Sequence, residues 1–419
     1  MALTAKQLKD SKQFRDTVAA LYGGGLDYQA ERYAMLYNKH TADFGKGGAF
    51  FSSPGRIEVI GNHTDHNNGK VLCASISVDN LGCVTPLDGK IIVASIGYPV
   101  VEVNIDDLLP NADEYGKSEA LVRGVIAYYK EHGYNVGGFA ATTTSDVFNG
   151  AGVSSSASFE LLICEILNVM YNGSSIDAVT KARAAQYAEN VYFGKPCGLL
   201  DQSAISLGGV SYIDFKSIED LEIANVEWTF SDLDIVLTNT GGDHADLTDQ
   251  YASIRSEMED VAAAMGAKTL RGVDESEFWK SIPQLQSKVS GRAILRAIHF
   301  FNENKRVEKA LDAVRTCDIV KFGEMIDESG TSSYELLQNC YPLGDTAQRI
   351  PLGLAIGKRM PGVLATRVHG GGFAGTVIAY VRRADTAAYV ERMKSVFGDK
   401  NVFVIGVRNS GTRAVKLDV

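Results

Sequence analysis

The sequence predicts an α+β protein in which each half of the chain combines helices with short strands. Three observations support this class. The first ~45 residues space their apolar side chains as a helix does, and segment 49–105 carries short apolar or alternating runs broken by turn residues. The second half of the chain repeats the mixture. A boundary between the two halves is predicted near residue 215.

The first half is predicted to begin with helices and to continue with strands. Leu8, Phe14, Val18 and Leu21 fall near a 3.6-residue period, which is typical of an amphipathic helix. The predicted strands are 50–51, 57–60, 81–84 and 91–95. The predicted helices are 118–131, 156–170 and 176–193, followed by a turn and a strand at 208–214.

The second half is predicted to place strands around several helices. A strand at 233–239 precedes a long charged helix at 251–265, and further helices continue to about residue 340. The remaining predicted elements are strands 363–368 and 376–381, helix 385–397 and strand 402–406.

Composition excludes several classes of function. The 419 residues carry 41 Lys and Arg against 51 Asp and Glu, a net charge of −10, which argues against a dedicated binder of nucleic acid or membrane surfaces. No run approaches the ~18 apolar residues of a membrane span, and the N-terminus lacks the apolar core of a signal peptide. The six cysteines are scattered without a C-x-x-C pair, which favours a reduced, cytoplasmic enzyme.

The segment 370–375, GGGFAG, satisfies the G-x-G-x-x-G dinucleotide fingerprint but does not have its context. The fingerprint needs a strand before it and a helix after it, whereas the apolar, β-branched run 376–381 predicts a strand. We therefore interpret 370–375 as a glycine-rich turn where the backbone packs closely on another part of the protein.

The first informative block is 53–69, in which polar side chains surround and follow an apolar strand. Arg56, Asn62, His63, Asp65 and His66 offer a fixed cation, an amide, imidazoles and a carboxylate within eleven residues. Loops that follow strands are where sites are built. A short Asp among such donors suits adjacent hydroxyls, as on a sugar. A polar turn without function is the alternative.

The second block, 149–158, is a run of small residues that leads into an apolar helix. Gly150 and Gly152 let the backbone approach a ligand, and the helix N-terminus directs N–H groups and partial positive charge outward. The serines Ser154, Ser155 and Ser156 can add hydrogen bonds or bind Mg²⁺. The block predicts a phosphate site, with a serine-rich helix cap as the alternative.

The third block joins Glu189, on a predicted helix, to the segment 194–202 with sequence GKPCGLLDQ. Asp201 follows Gly198 and two apolar leucines, so it is expected to be partly desolvated unless it is paired. That setting suits a base or an orienting carboxylate, and an Asp at a helix cap is the alternative.

Together these blocks resemble the galactokinase family of the GHMP kinase superfamily. The family's sugar motif P-G-R-x-N-x-I-G-E-H-T-D-Y matches 54–66, and its phosphate loop G-x-G-L-S-S-S-A-S matches 150–158. Its base segment G-x-P-C-G-x-x-D-Q matches 194–202, and its motif G-G-G-F-G-G matches 370–375. The four motifs occur in family order and extend over most of the chain.

The resemblance implies a two-lobed fold with ATP and sugar in the cleft between lobes 1–214 and 215–419, the last strand being able to pack back on the first lobe. It implies that Asp201 is the catalytic carboxylate and that Arg56 pairs with it. The remaining implied roles are Mg²⁺ ligands at Ser156 and Glu189, sugar contacts at Asn62, His63, Asp65, Gly198 and Tyr251, phosphate contacts at Gly150, Ala151, Gly152, Val153, Ser154, Ser155 and Ser156, and a nucleotide contact at Ser95.

The implied reaction is ATP-dependent phosphorylation of the anomeric hydroxyl of galactose. Two departures from the family motif bear on the sugar. Asn62 stands where a Glu that contacts the C6 hydroxyl is usual, so a C6 carboxylate, as in galacturonate, is less repelled, and His66 stands where Tyr is usual, as in galacturonate kinases. Glu58 stands where Asn is usual, and the sequence does not explain that change. A related sugar therefore stays open, namely galacturonate, galactosamine, N-acetylgalactosamine or L-arabinose. A sugar sensor without catalysis is the third hypothesis. Small-molecule partners alone are expected, with a monomer or weak oligomer.

Overall fold

The N-terminal residues fold into three helices because capping residues and apolar spacing agree. A computed structural model describes residues 2–147, 152–195, 197–217, 220–241, 247–373 and 375–417, apart from the side chain of Thr248. Thr4 and Gln7 form a capping box at the start of the first helix, and Ser11 caps the second. The predicted periodicity is confirmed by burial of its apolar residues. The helices are α1 (Ala5–Asp10), α2 (Lys12–Tyr22) and α3 (Leu26–Phe44).

A mixed sheet follows, with its strands in the order β12-β1-β2-β5-β3-β4, and β6 and β7 continue from β2. β3 and β5 pair in parallel and the other neighbours are antiparallel. This sheet draws on residues beyond 215, since β7 and β12 belong to it. The strands are β1 (Ala49–Ile60), β2 (Lys70–Pro86), β3 (Lys90–Ser95), β4 (Val101–Asn104), β5 (Phe139–Ser145), β6 (Val210–Asp214), β7 (Glu222–Val226) and β12 (Arg413–Val415).

Two of the three helices predicted after the first strands form as predicted, and the third is shorter than predicted. The predicted 118–131 and 156–170 helices are confirmed. The predicted helix 176–193 was wrong at its C-terminal end, because a π-helical turn, Ala188–Phe193, replaces the last α-helical residues. π-Helical turns are frequent at functional sites. The helices are α4 (Ser118–Glu131), α5 (Ser155–Tyr171), α6 (Ala178–Tyr187) and α7 (Leu200–Leu207).

A second, antiparallel sheet forms from the predicted strands of the second half, in the order β11-β8-β10-β9. Its strands are β8 (Leu233–Asn239), β9 (Val363–His369), β10 (Thr376–Arg382) and β11 (Val402–Ile405). The helices are α8 (Thr248–Ala264), α9 (Glu275–Leu285), α10 (Gly291–Arg315), α11 (Ile319–Ser332), α12 (Arg349–Gly357) and α13 (Thr386–Phe397). Among the described residues no helix is both long and apolar enough to cross a membrane.

One hydrophobic core joins the two sheets. Ile57 of β1 and Leu72 of β2 belong to the same buried cluster as Leu237 of β8, Val307 of α10 and Ile378 of β10. All five side chains are fully shielded from solvent. Because β1 ends within this shared core, the polar residues that follow it lie where the two halves of the chain meet.

Candidate active site

The centre of the site is an ion pair between Arg56 of β1 and Asp201 in the first turn of α7. Arg56 Nε donates to Asp201 Oδ1 and Nη2 donates to Oδ2, each at 2.7 Å, so the pair is bidentate. The Ser154 hydroxyl also donates to Oδ2. Burial acts to raise the pKa of Asp201, but the Arg56 charge and these hydrogen bonds outweigh it and hold the pKa below its ordinary value. Asp201 is therefore an ionised, fully oriented carboxylate.

The predicted phosphate loop lies against Arg56. Gly152 has φ of +66°, and its carbonyl accepts a hydrogen bond from Arg56 Nη1. The Arg56 backbone N–H donates to the Val153 carbonyl at 3.2 Å. Ser154 has φ of +61°, and α5 begins at Ser155.

This loop fits an anion. The N-terminus of a long helix, a glycine at positive φ and nearby hydroxyls are the features that bind phosphate. Gly150 and Ala151, which are also predicted phosphate contacts, lie outside the described residues.

Next to the loop, Ser156 and Glu189 come together from α5 and the π-helical turn. The Ser156 hydroxyl donates to Glu189 Oε1 at 3.3 Å. Lys195 Nζ lies 3.1 Å from the same oxygen, and Gln202 Nε2 donates to Glu189 Oε2 at 2.9 Å. A hydroxyl and a carboxylate at this separation are suitable oxygen ligands for Mg²⁺, so the two predicted metal ligands fit that ion.

On the other side of Asp201, Gly198 packs against the loop that carries Asp65. A Cβ at position 198 would overlap the Asp65 carboxylate and contact the His66 ring. The absence of a side chain at Gly198 is therefore what lets these two segments approach each other. The structure brings both predicted sugar contacts to one place, within a few residues of Asp201.

Asn62 differs from the expectation of a sugar-facing amide, since it is fully buried. Its Nδ2 donates to the Gly370 carbonyl at 2.8 Å and lies 3.3 Å from both oxygens of Glu58. Its Oδ1 accepts from Asn339 at 2.8 Å and from Ser333 at 3.2 Å. The amide thus uses its hydrogen-bonding capacity within the protein.

Glu58, whose place in the motif the sequence left unexplained, is the ionic partner of Arg367 from β9. Arg367 is completely buried and also donates to the Val59 carbonyl at 3.2 Å. The two departures at 58 and 62 are reciprocal. Asn and Glu have exchanged places between β1, which carries Glu58, and the segment after it, which carries Asn62, and the Glu58 carboxylate faces the buried Arg367.

The glycine-rich segment 370–373 is a turn between β9 and β10, as predicted, and not a dinucleotide site. The Gly371 carbonyl lies 3.1 Å from His63 Nε2, and the Gly372 carbonyl accepts from the Tyr251 hydroxyl at 2.9 Å. A Cβ at Gly371 would overlap the Tyr251 ring. In the structure, His63 and Tyr251, both predicted sugar contacts, therefore contact the backbone carbonyls of this turn.

Ser95 lies apart from the loop residues. It ends β3, and its hydroxyl lies 2.8 Å from the hydroxyl of Thr143 on the parallel strand β5. In the chain, β5 precedes the phosphate loop, and Ser95 lies on the neighbouring strand β3. Ser95 therefore stays a predicted nucleotide contact.

Several residues of the site were missed by sequence reasoning. Lys195 and Gln202 lie inside the base segment, so their positions beside Glu189 could have been suspected. Arg367 and Asn339 reach the site only through packing between distant segments, and nothing in their local sequence indicates a role.

Two family models match the chain. The model described as the galactokinase galactose-binding signature matches residues 38–86, and the model of the GHMP kinases N-terminal domain matches residues 120–209. The galactokinase of Lactococcus lactis subsp. cremoris is 30% identical over 389 residues, which cover 88% of this chain and 92% of that protein. The chain belongs to the galactokinase family. Another relative, the galactokinase of Clostridium acetobutylicum, is 28% identical over 88% of this chain and 93% of its own length.

Solved structures support the same family and the same fold. The crystal structure of Lactococcus lactis galactokinase complexed with galactose matches with a TM-score of 0.80 and 27% identity, over 91% of this chain and 99% of that chain. The mevalonate kinase of Methanococcus jannaschii matches with a TM-score of 0.61 and 13% identity, over 86% of this chain and 98% of that chain. The second match concerns the fold alone. The galactokinase family member described here therefore has the two-lobed α+β fold of GHMP kinases.

Proposed function

We propose that the chain transfers the γ-phosphoryl group of ATP to the anomeric hydroxyl of galactose. The observation that carries this proposal is the bidentate Arg56–Asp201 pair, which lies directly against the phosphate loop. A carboxylate at that place can meet the acceptor hydroxyl while the arginine meets the transferred group. The relatives named galactokinase, and a related structure that holds galactose, support the choice of sugar.

Asp201 accepts the proton of the attacking hydroxyl. Its lowered pKa makes it a weak base, but phosphoryl transfer proceeds through a loose transition state in which the hydroxyl becomes acidic only as its bond to phosphorus forms. A carboxylate that is always ionised and already oriented is sufficient for such a late transfer. Ser154 shares Oδ2 of this carboxylate, so its hydroxyl must yield part of that position to the sugar.

Arg56 stabilises the charge on the transferred group. Its guanidinium contacts the Gly152 carbonyl of the phosphate loop and Asp201 at the same time, so it is fixed between donor and acceptor. Fixed charge of this kind is worth most in a shielded site, where no solvent must reorganise.

The nucleotide phosphates are held by the loop from Gly152 to Ser155 and by the N-terminus of α5. Ser156 and Glu189 would hold Mg²⁺, which when bound neutralises charge on the phosphate oxygens. On the sugar side, Asp65 offers a carboxylate to the hydroxyls beside Asp201.

The structure does not favour a sugar with a carboxylate at C6. Asn62 in place of Glu would repel a C6 carboxylate less only if its amide faced the sugar, but that amide is used within the protein. Galactose is therefore the substrate with the stronger support.

The test is release of ADP in the presence of Mg²⁺ with galactose, galacturonate, galactosamine, N-acetylgalactosamine and L-arabinose in parallel. We expect turnover with galactose. Rapid turnover of another sugar without turnover of galactose would contradict the proposal. Binding of sugar and ATP with no ADP from any sugar would instead support a sensor.

The role of Asp201 is tested by Asp201→Ala, with galactose binding followed by calorimetry as the control. We expect turnover to be lost, because no carboxylate remains to accept the proton, while sugar binding largely survives. Activity like that of the wild type would refute the assignment of Asp201.

A further inference from the structure

The feature behind this inference is Glu160, a fully buried carboxylate on α5 that the mechanism does not use. Neither of its oxygens has a partner of hydrogen-bond geometry among the described residues, although the Gln202 side chain lies close enough to lower its pKa. A buried polar group left in this state destabilises the fold, and a charged group does so more strongly. An ionised Glu160 would therefore need a partner that the described residues do not supply.

Glu160 lies one helical turn beyond Ser156, next to the Ser156–Glu189 pair. It follows Ser156 by four residues on α5, so the two side chains share one face of the helix, one turn apart. Glu189 reaches that face from the π-helical turn and contacts the Ser156 hydroxyl at 3.3 Å. Glu189 is also close enough to Glu160 that its charge, after burial, raises the pKa of Glu160 well above the ordinary value.

A second buried side chain in the same place, Gln202, also has an oxygen without a partner among the described residues. Gln202 is fully buried, and its Nε2 donates to Glu189 Oε2 at 2.9 Å, while its Oε1 has no partner among the described residues. The neighbourhood of Glu189 thus holds three buried acceptor oxygens without a donor: both of Glu160 and one of Gln202.

The charges around Glu189 point in the same direction. Lys195 contacts Glu189 Oε1 at 3.1 Å, and its side chain is 63% exposed. Lys195 supplies a single positive charge, so Glu160 can be ionised beside Glu189 only when a further cation is bound. Carboxylate, amide and hydroxyl oxygens together are the ligands that hard divalent cations prefer.

We propose that Glu160 is part of the divalent-cation site of this enzyme, as the second carboxylate beside Ser156 and Glu189. This inference rests on the proposed function, which assigns the Mg²⁺ position to those two residues. Glu160 sets how tightly the cation is held, and Gln202 orients Glu189 toward it.

The experiment measures Mn²⁺ binding by the loss of the free-ion EPR signal, with a non-hydrolysable ATP analogue present and no sugar. We expect Glu160→Gln to raise the dissociation constant at least tenfold relative to the wild type. The control is Glu165→Gln on the same helix, since Glu165 is buried but pairs with Lys181. It should lose stability and leave Mn²⁺ affinity unchanged.

The opposite result is equally clear. If Glu160→Gln binds Mn²⁺ like the wild type, Glu160 is a protonated core residue and the proposal is overturned. If Glu160→Gln does not fold, Glu160→Asp replaces it. Weaker Mn²⁺ binding by that variant supports the proposal, and unchanged binding overturns it. Because no sugar is present, the result does not depend on whether galactose is phosphorylated, which the ADP assay decides.

Discussion

At the scale of single residues, one guanidinium organises the chemistry. Arg56 is buried, and it contacts Asp201 through two nitrogens and the Gly152 carbonyl through a third. Only a planar fork of donors can make these contacts together, so Lys is not an equivalent. The same pairing lowers the pKa of Asp201, so in the proposed mechanism charge stabilisation by Arg56 and proton acceptance by Asp201 depend on one interaction.

We expect Arg56→Lys to lower kcat by roughly 100-fold or more, the usual cost of losing one fixed donor to a developing charge. The variant keeps a positive charge, so the protein should still fold, and circular dichroism provides the control. Steady-state kinetics with galactose and ATP give the measurement. A kcat like that of the wild type would show that the forked geometry is unimportant.

The Ser154 hydroxyl affects the pH dependence of the reaction. It donates to Asp201 and so favours the charged carboxylate. Without that bond in Ser154→Ala, the pKa of Asp201 should rise. The acid limb of kcat/KM then moves to higher pH, because Asp201 becomes protonated earlier as pH falls. An acid limb that stays in place or moves to lower pH would refute this contribution.

At the scale of elements, β1 and the turn after β9 form one polar unit. Asn62 and Glu58 of the β1 region contact the Gly370 carbonyl and Arg367 respectively. The burial of Glu58 tends to raise its pKa more than Arg367 lowers it. A further carboxylate in this unit would therefore have no cation to pair with.

Asn62→Glu tests this unit, although the sequence alone suggests it as a test of sugar choice. We expect it to lower the free energy of unfolding by roughly 3 kcal/mol, the order of cost for an uncompensated buried charge. Urea denaturation gives the measurement. Glu58→Asn together with Asn62→Glu restores one carboxylate to the pair and should recover part of the loss. Strictly additive losses would show that the two positions are not coupled.

At the scale of the whole molecule, buried neutral histidines make stability depend on pH. Burial lowers the pKa of His40 to about 4. The pKa of His63 is also lowered to about 4, mainly by burial and to a smaller extent by repulsion from His66. Burial also lowers the pKa of His299 and His369. These groups stay neutral in the folded protein where the unfolded chain would bind protons.

Stability should therefore be fully present above about pH 6.5, the ordinary histidine value, and fall as pH drops from 6.5 toward 4. The urea midpoint measured between pH 7.5 and 4.5 tests this. His40 lies between the hydroxyls of Thr142 and Thr85, away from the site, so His40→Gln should reduce the slope and leave turnover intact. A slope unchanged in this variant would contradict the assignment.

Much of the fold could be predicted because its signals are local. Apolar spacing and caps predicted the N-terminal helices, and β-branched runs predicted the strands on both sides of the glycine-rich turn 370–373. The end of helix 176–193 was wrong because a π-helical turn depends on packing around Glu189 and not on local spacing. The pairing of β12, near residue 415, with β1 could not be predicted from local sequence either, because it joins segments far apart in the chain.

The sequence by itself determined the family, the order of the motifs and the prediction that Arg56 pairs with Asp201, because these follow from residue types at short spacings. Only the tertiary structure decided which way the side chains face. Asn62 belongs to the sugar motif in the sequence. In the structure, however, its amide is buried and contacts Glu58 and the glycine-rich turn. Contacts between segments hundreds of residues apart depend on packing of whole elements, and short-range sequence patterns do not contain that information.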